Sequence, residues 1–228
     1  MQVQNFFEQL ERRIAKYDLL SHPFYQAWSA GELTAEDLRA YSADYYHHVA
    51  AFPTYLSALH SRLADGELRR AVLRNLADEE IDGTAHSELW LDFAGAFGNQ
   101  RSAVKNSRPS GETAALIAHF RSIAGTASPA AALSAFYAYE SQVPRVAEFK
   151  ECALRDLYSA SEQACRYFVV HKAADVHHSR VWRDALGQVV AGDPSCAEEA
   201  LTAAENSARA LWNALDGMEA RRKTPAIQ

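Results

Sequence analysis

Cysteine is scarce in this chain: Cys152, Cys165 and Cys196 are the only three among 228 residues. An odd number without CxxC spacing excludes a disulfide framework and fits free thiols in a reducing compartment. No apolar run approaches the ~20 residues that a membrane-spanning helix needs. The opening Met1-Gln2-Val3-Gln4-Asn5 lacks the basic-then-apolar order of a signal peptide, so the expected location is the cytoplasm, with no membrane partner. Basic charge is also short. The formal net charge of −6 argues against a nucleic-acid binder, which needs a basic face to follow phosphates. Only Arg221-Arg222-Lys223 is locally basic, and it reads as a solvated terminal stretch. There is no internal repeat, no low-complexity run and no segment of period-two alternation between turn signals, so no strand is expected. No GxGxxG run follows a strand, which leaves no dinucleotide fingerprint.

What fills the sequence is helical periodicity, punctuated by seven prolines and ten glycines. Phe6, Phe7, Leu10, Ile14 and Tyr17 form one stripe that closes near Leu20. Ser21-His22-Pro23 reads as a cap before a short helix ending at Gly31. Thr34 caps a long helix over about 35–63, with Pro53 as its kink. After Asp65-Gly66 a helix is expected over about 67–97, closed by Gly98. Residues 99–111 read as the longest polar loop. A helix over 112–125 follows, then one opened by Ser128-Pro129 and running to about Tyr158 with Pro144 inside it. Another restarts at 159–161 and reaches Ala191, and Asp193-Pro194 opens the last, which fades near Arg221. The fold class is therefore all-α: one domain over residues 1–228, an irregular bundle of seven or eight helices. Such bundles build metal and ligand sites from side chains on facing helices.

Three segments carry candidate ligands. His171, Asp175 and His178 lie within roughly 60° of one another around a helix. Because Cβ atoms lean toward the helix N-terminus, Asp175 and His178 tip back toward His171. Two imidazoles and a carboxylate on one side suit a divalent ion of the iron, manganese or zinc group. With nine histidines in the chain, a polar face carrying two coincidental imidazoles gives the same triplet. Glu79 and His86, seven residues apart, are nearly eclipsed on the expected helix, yet roughly 10 Å apart along its axis. Two ions about 3.5–4 Å apart would shorten that reach, whereas the acidic run 78–82 also fits a solvated face, with Glu80 and Asp82 as competing carboxylates. Glu140 sits among Phe136, Tyr137 and Tyr139, and a carboxylate buried there needs a metal or an arginine. Together, three carboxylates and three histidines carry −3 against +4 from two divalent ions, and a bridging hydroxide would neutralise the cluster. The absence of thiols argues against iron–sulfur or structural zinc.

In this order, Glu79, His86, Glu140 and the run His171-x3-Asp175-x2-His178 resemble the ligand pattern of the haem-oxygenase-like diiron oxidases. Within that superfamily the chain is most similar to the CADD-like proteins, a likeness covering nearly its whole length and including Ser21-His22-Pro23-Phe24-Tyr25. The resemblance implies a haem-oxygenase-like bundle, two iron ions or a manganese–iron pair, dioxygen as co-substrate and a reductant. It also implies formation of p-aminobenzoate for folate synthesis, with one of the protein's own tyrosines as the source of the ring. The tyrosines that match are Tyr25, Tyr41, Tyr139 and Tyr167, and the matching lysine is Lys150. Tyr25 is then the candidate for the sacrificed ring and Lys150 for the amino donor.

The residues themselves support part of this. Tyr139 adjoins Glu140 and Tyr167 precedes His171 by one turn, so both must lie near the ligands. Lys150 is roughly 15 Å beyond Glu140 on an ideal helix and about 80° off its face, so a bend at Pro144 is needed to bring it in. Rival members of the same fold fit less well. A TenA-type thiaminase needs a cysteine that the segment 137–140 lacks. A cofactorless pyrroloquinoline-quinone synthase leaves six ligands without a purpose, and for a haem oxygenase His22 is the only early histidine. An external small amine or acid as substrate, or a non-enzymatic helical interaction protein, stays open at this point. A homodimer is expected, symmetric pairs being the commonest assembly.

Overall fold

The computed structural model describes residues 2–224. Among these there is no strand. Eleven α-helices follow in order: α1 (Val3–Ala15), α2 (Pro23–Ser29), α3 (Ala35–Arg62), α4 (Glu67–Glu80), α5 (His86–Ala96), α6 (Arg101–Asn106), α7 (Gly111–Thr126), α8 (Pro129–Glu140), α9 (Val143–Asp156), α10 (Glu162–Gly192) and α11 (Ala197–Lys223). Short 3₁₀ turns at Leu19–Ser21 and Pro194–Cys196 precede α2 and α11. Among the described residues no helix is long and apolar enough to cross a membrane.

The bundle is wrapped around α8, whose residues Ala130 to Glu140 are all buried. Its alanines at 130, 131, 132, 135 and 138 let α7, α10 and α11 approach from different sides. A helix apolar all round is a core helix, and this one delivers Glu140 into the interior at its last turn. Alongside it, α10 buries Ala164, Phe168, His171, Asp175, His178, Trp182, Leu186 and Val190. Their three- and four-residue spacing is a normal hydrophobic stripe in which three positions have been given to potential ligands. Thr34 and Asp37 close a reciprocal capping box at the start of α3, and Pro53 lies inside α3.

The helix count exceeds the expected seven or eight because three expected segments are resolved differently. The single helix expected over 67–97 ends at Glu80 and restarts at His86. The amides of Ile81 and Asp82 both donate to the Ala77 carbonyl, and Gly83 takes φ +112°, a conformation that favours glycine. The helix expected from 128 to 158 divides after Glu140. Pro144 lies in the first turn of α9, where its missing N–H costs nothing, so it opens a helix and kinks none. Buried Gln142 spans the break: its amide donates to the Ala138 carbonyl (3.1 Å) and its carbonyl oxygen accepts from Leu19 N–H (3.0 Å). The polar loop expected over 99–111 contains α6, held by Arg101 to Glu88 and Asp92 and by Lys105 to Glu88. At the start of α2 the cap is His22; Ser21 ends the preceding 3₁₀ turn.

Candidate metal centre and amine chamber

The six ligand candidates converge, and each is at most 5% exposed. The break between α4 and α5 removes the axial-reach problem. Glu79 stands in the last turn of α4 and His86 is the first residue of α5, so His86 Nδ1 lies 2.8 Å from Glu79 Oε2. The His86 and His171 rings are 4.4 Å apart. Ligand atoms of Glu79, His86 and His171 all fall within 4.8 Å of one another, and so do those of Glu79, Glu140 and His178. Glu79 belongs to both triads. Asp175 belongs to neither, but its Oδ1 is 3.2 Å from His178 Nδ1, and it lines the same small cavity as Glu79, Glu140 and His171.

The hydrogen bonds orient these groups. His171 donates from Nδ1 to the Tyr167 carbonyl, 2.7 Å away, which leaves Nε2 as a lone-pair nitrogen. His178 Nε2 is 2.9 Å from Asp78 Oδ2, while its Nδ1 faces inward to Asp175 and to Glu140 Oε1 at 3.9 Å. Glu140 Oε2 accepts from the Trp182 indole N–H.

A cation fits what remains. Glu140 Oε1 is buried without a hydrogen-bond partner among the described residues, and His86 Nδ1, though close to Glu79, is not aligned to bond with it. Orphaned buried polar atoms are costly, and here they belong to two residues, one in each of the two triads of oxygen and nitrogen donors that share Glu79. That donor set suits iron or manganese, and two triads sharing one carboxylate suit a pair of ions. The surroundings pull the protonation of these groups in opposite directions. Burial pushes Glu140 well above the usual carboxylate range against the opposing charge of His178. Burial also works against Glu79, but the adjacent His86 and the other imidazoles outweigh it and lower its pKa. Burial opposes charge on His178 too, yet Asp175, Glu140 and Asp78 raise it to about 10. Burial lowers His171.

A second chamber lies beyond two tyrosines. The division after Glu140 turns α9 back on the bundle and buries Lys150 to 3% exposure. Its Nζ donates to Tyr25 Oη at 2.8 Å and Tyr41 Oη at 2.6 Å, and lies 4.2 Å from the centre of the Tyr25 ring. No carboxylate pairs with it among the described residues, and burial holds its pKa well below the usual lysine range. Burial thus favours the unprotonated amine, the form that acts as a nucleophile. Burial raises the Tyr25 and Tyr41 phenols, so both stay protonated. Tyr139 and Tyr167 line this chamber together with Tyr25, Tyr45 and Lys150, and they also line the cavity of Glu79, Glu140, His171 and Asp175. Tyr167 stacks on the His171 ring at 3.8 Å. The spaces are small, about 30 Å³ on the lysine side and about 10 Å³ on the ligand side.

Several participants do not stand out in the sequence. Tyr45 lines the lysine chamber one turn after Tyr41, and Trp182 follows His178 by one turn; that i, i+4 spacing is the one signal the sequence offers for them. Trp90, which packs edge-on to Tyr167 at 4.7 Å, and Asp78, next to Glu79, have no such signal. Glu80 and Asp82, the competing carboxylates, are exposed, as is His177. His22 is fully buried with both ring nitrogens occupied, Nδ1 by Phe24 N–H and Nε2 by Asp216, so it serves as a cap. No cysteine lines either chamber among the described residues.

A family model described as "iron-containing redox enzyme" matches residues 39–212. The 4-aminobenzoate synthase of Chlamydia muridarum is 40% identical over 213 residues, covering 93% of this chain and 89% of the relative. The 4-aminobenzoate synthase of Nitrosomonas europaea is 37% identical over 229 residues, covering 96% and 92%. In three dimensions the chain is similar to a haem-oxygenase-like domain from Shewanella denitrificans, with TM-score 0.79 at 19% identity, covering 97% of this chain and 93% of that one. At that identity the structural likeness speaks for the fold alone.

Proposed function

This chain belongs to the iron-containing redox enzyme family, and we propose that it is a dinuclear-metal, oxygen-dependent oxidase that forms 4-aminobenzoate. Glu79, His86, Glu140, His171, Asp175 and His178 would hold two ions, iron–iron or manganese–iron, the donors suiting both. When bound, that pair supplies oxidising power drawn from dioxygen and a reductant. The protein's part is placement and exclusion of water. Tyr139 and Tyr167 stand between the ligand cluster and the lysine chamber, where a phenol can pass oxidising equivalents while its proton stays within a buried hydrogen-bond network. Lys150 presents a neutral amine to Tyr25, and Tyr41 holds that amine from a second side. On this reading Tyr25 gives the aromatic ring and Lys150 the amino group.

The observation that carries the reading is the pairing of Lys150 Nζ with Tyr25 Oη, 2.8 Å apart, one layer of tyrosine away from a cluster of orphaned ligand atoms. Relatives named 4-aminobenzoate synthase that cover nearly the whole chain support the product. The test is to prepare protein containing ring-labelled tyrosine, load it with iron, reduce it and expose it to dioxygen without free tyrosine. Labelled 4-aminobenzoate at no more than one per chain is expected, and none from Tyr25→Phe. Unlabelled product, or many turnovers on an added small molecule, would move the ring's origin to an external substrate.

A further inference from the structure

The lysine chamber holds about 30 Å³ of free space, close to the volume of one water molecule. That is no passage for a six-membered ring carrying a carboxylate, so a product made from Tyr25 needs another way out. Tyr41 marks where. Its hydroxyl is on Lys150 and its ring packs on Phe24 at 5.3 Å, yet Tyr41 and Phe24 also form the floor of a surface pocket of about 140 Å³ between α2, α3 and α11. One layer of side chain separates this pocket from the amine. A larger groove along α9, beside Phe149, Cys152 and Leu157, shares no residue with the Lys150 cluster.

The pocket's chemistry is two-ended. Its base is apolar and aromatic, made by Phe24, Tyr41 and Met218, while Arg221 and Arg222 come from α11 and Glu36 and Asp37 from α3. Among the described residues, Glu219 takes one N–H from Arg222 Nε and one from Nη2, two of the five that a guanidinium offers. Asp37 is committed to the capping box of α3, but Glu36 is exposed and among the described residues is paired with Arg39 alone, three residues on, at 3.4 Å. A flat ring with an anion at one end and a hydrogen-bond donor at the other matches this arrangement.

We propose that the pocket floored by Phe24 and Tyr41 is an exit vestibule that binds the aromatic amino acid product, its carboxylate on Arg222, its ring against Tyr41 and its amino group toward Glu36. This rests on the 4-aminobenzoate reading for the identity of the ligand, while the binding itself can be measured without turnover.

Equilibrium dialysis of the full-length protein with 4-aminobenzoate, benzoate and aniline tests it. 4-Aminobenzoate binds best, benzoate several-fold more weakly and aniline at least about tenfold more weakly, since a charge-assisted pair is the largest polar contribution. Arg222→Gln weakens 4-aminobenzoate at least about tenfold but leaves aniline unchanged. Glu36→Gln affects 4-aminobenzoate and not benzoate. Ala40→Trp, at an exposed position on the pocket wall, blocks all three without touching the core. Equal affinity for aniline and 4-aminobenzoate, or unaltered binding in both Arg222→Gln and Ala40→Trp, overturns the vestibule. If product binds as described while the labelled-tyrosine experiment yields no 4-aminobenzoate, the reaction falls and the site stands. If product forms but binding ignores these variants, the site falls and the reaction stands.

Discussion

On one side of Tyr139 and Tyr167, three carboxylates and three imidazoles are buried against one another; on the other, a single amine is buried against two phenols and no counter-charge. Both arrangements cost stability in water-free surroundings, but by different routes. On the ligand side crowding of opposite charges favours the charged forms of Glu79 and His178, while burial works against charge on Glu140 and His171, and it leaves ligand atoms unmatched, which a cation would complete. On the lysine side burial works against the charge itself. A cluster of candidate metal ligands thus faces a buried amine across two tyrosines.

The strongest way to break this contrast is to remove one half at a time. His171→Ala or Glu140→Ala is expected to reduce 4-aminobenzoate formation to background and to lower bound metal. Lys150→Met is expected to abolish product equally while leaving bound metal unchanged. Measuring metal content and product in the same preparations checks this. Loss of metal in Lys150→Met would mean that the two chambers are not separate.

The next effect is on stability. In the metal-free protein Lys150→Met should be more stable than the native chain at neutral pH, because burial works against the proton that the unfolded chain keeps on this amine. The pH dependence has opposite signs in the two halves. For Lys150 the unfolded chain binds the extra proton, so native stability recovers as pH rises toward about 10.4, the ordinary lysine value. For His178, raised to about 10, the stabilisation is complete below about 6.5 and is lost as pH climbs to about 10. The advantage of Lys150→Met should therefore shrink between pH 7 and 10 in denaturant titrations. A Lys150→Met chain less stable than the native one at pH 7 would show that the amine is charged and paired in the fold.

The smallest effect is expected at Asp78, whose carboxylate holds the outer nitrogen of His178 but is 42% exposed. Asp78→Asn should weaken metal binding by about tenfold, the low end for a residue that orients a ligand. A metal titration with a competing chelator reads it, and unchanged affinity would remove Asp78 from the site.

How far the sequence can be read follows the same division. His171, Asp175 and His178 are legible because they lie on one uninterrupted helix, where spacing is geometry. Glu79 and His86 share a site for a different reason from the one their spacing suggests: the residues look eclipsed on one helix, whereas Gly83 turns the chain and brings them together across a break. Lys150 shows the limit. Its position depends on where the chain divides after Glu140, and the signal for that division, Pro144, marks an internal kink and a helix start equally well. Trp90 and Asp78 are illegible because each acts through tertiary contact with residues far along the chain. The helix inside residues 99–111 reads as a loop because it is short and polar, and tertiary ion pairs to α5 hold it.

The proposed reaction depends on the buried cluster holding two ions. Elemental analysis of protein purified after iron supplementation, native and His171→Ala side by side, is the sharpest test of that. Close to two metal ions per native chain are expected, iron alone or iron with manganese, with a marked loss in the variant. No stoichiometric metal in the native protein, or full occupancy in His171→Ala, would overturn it.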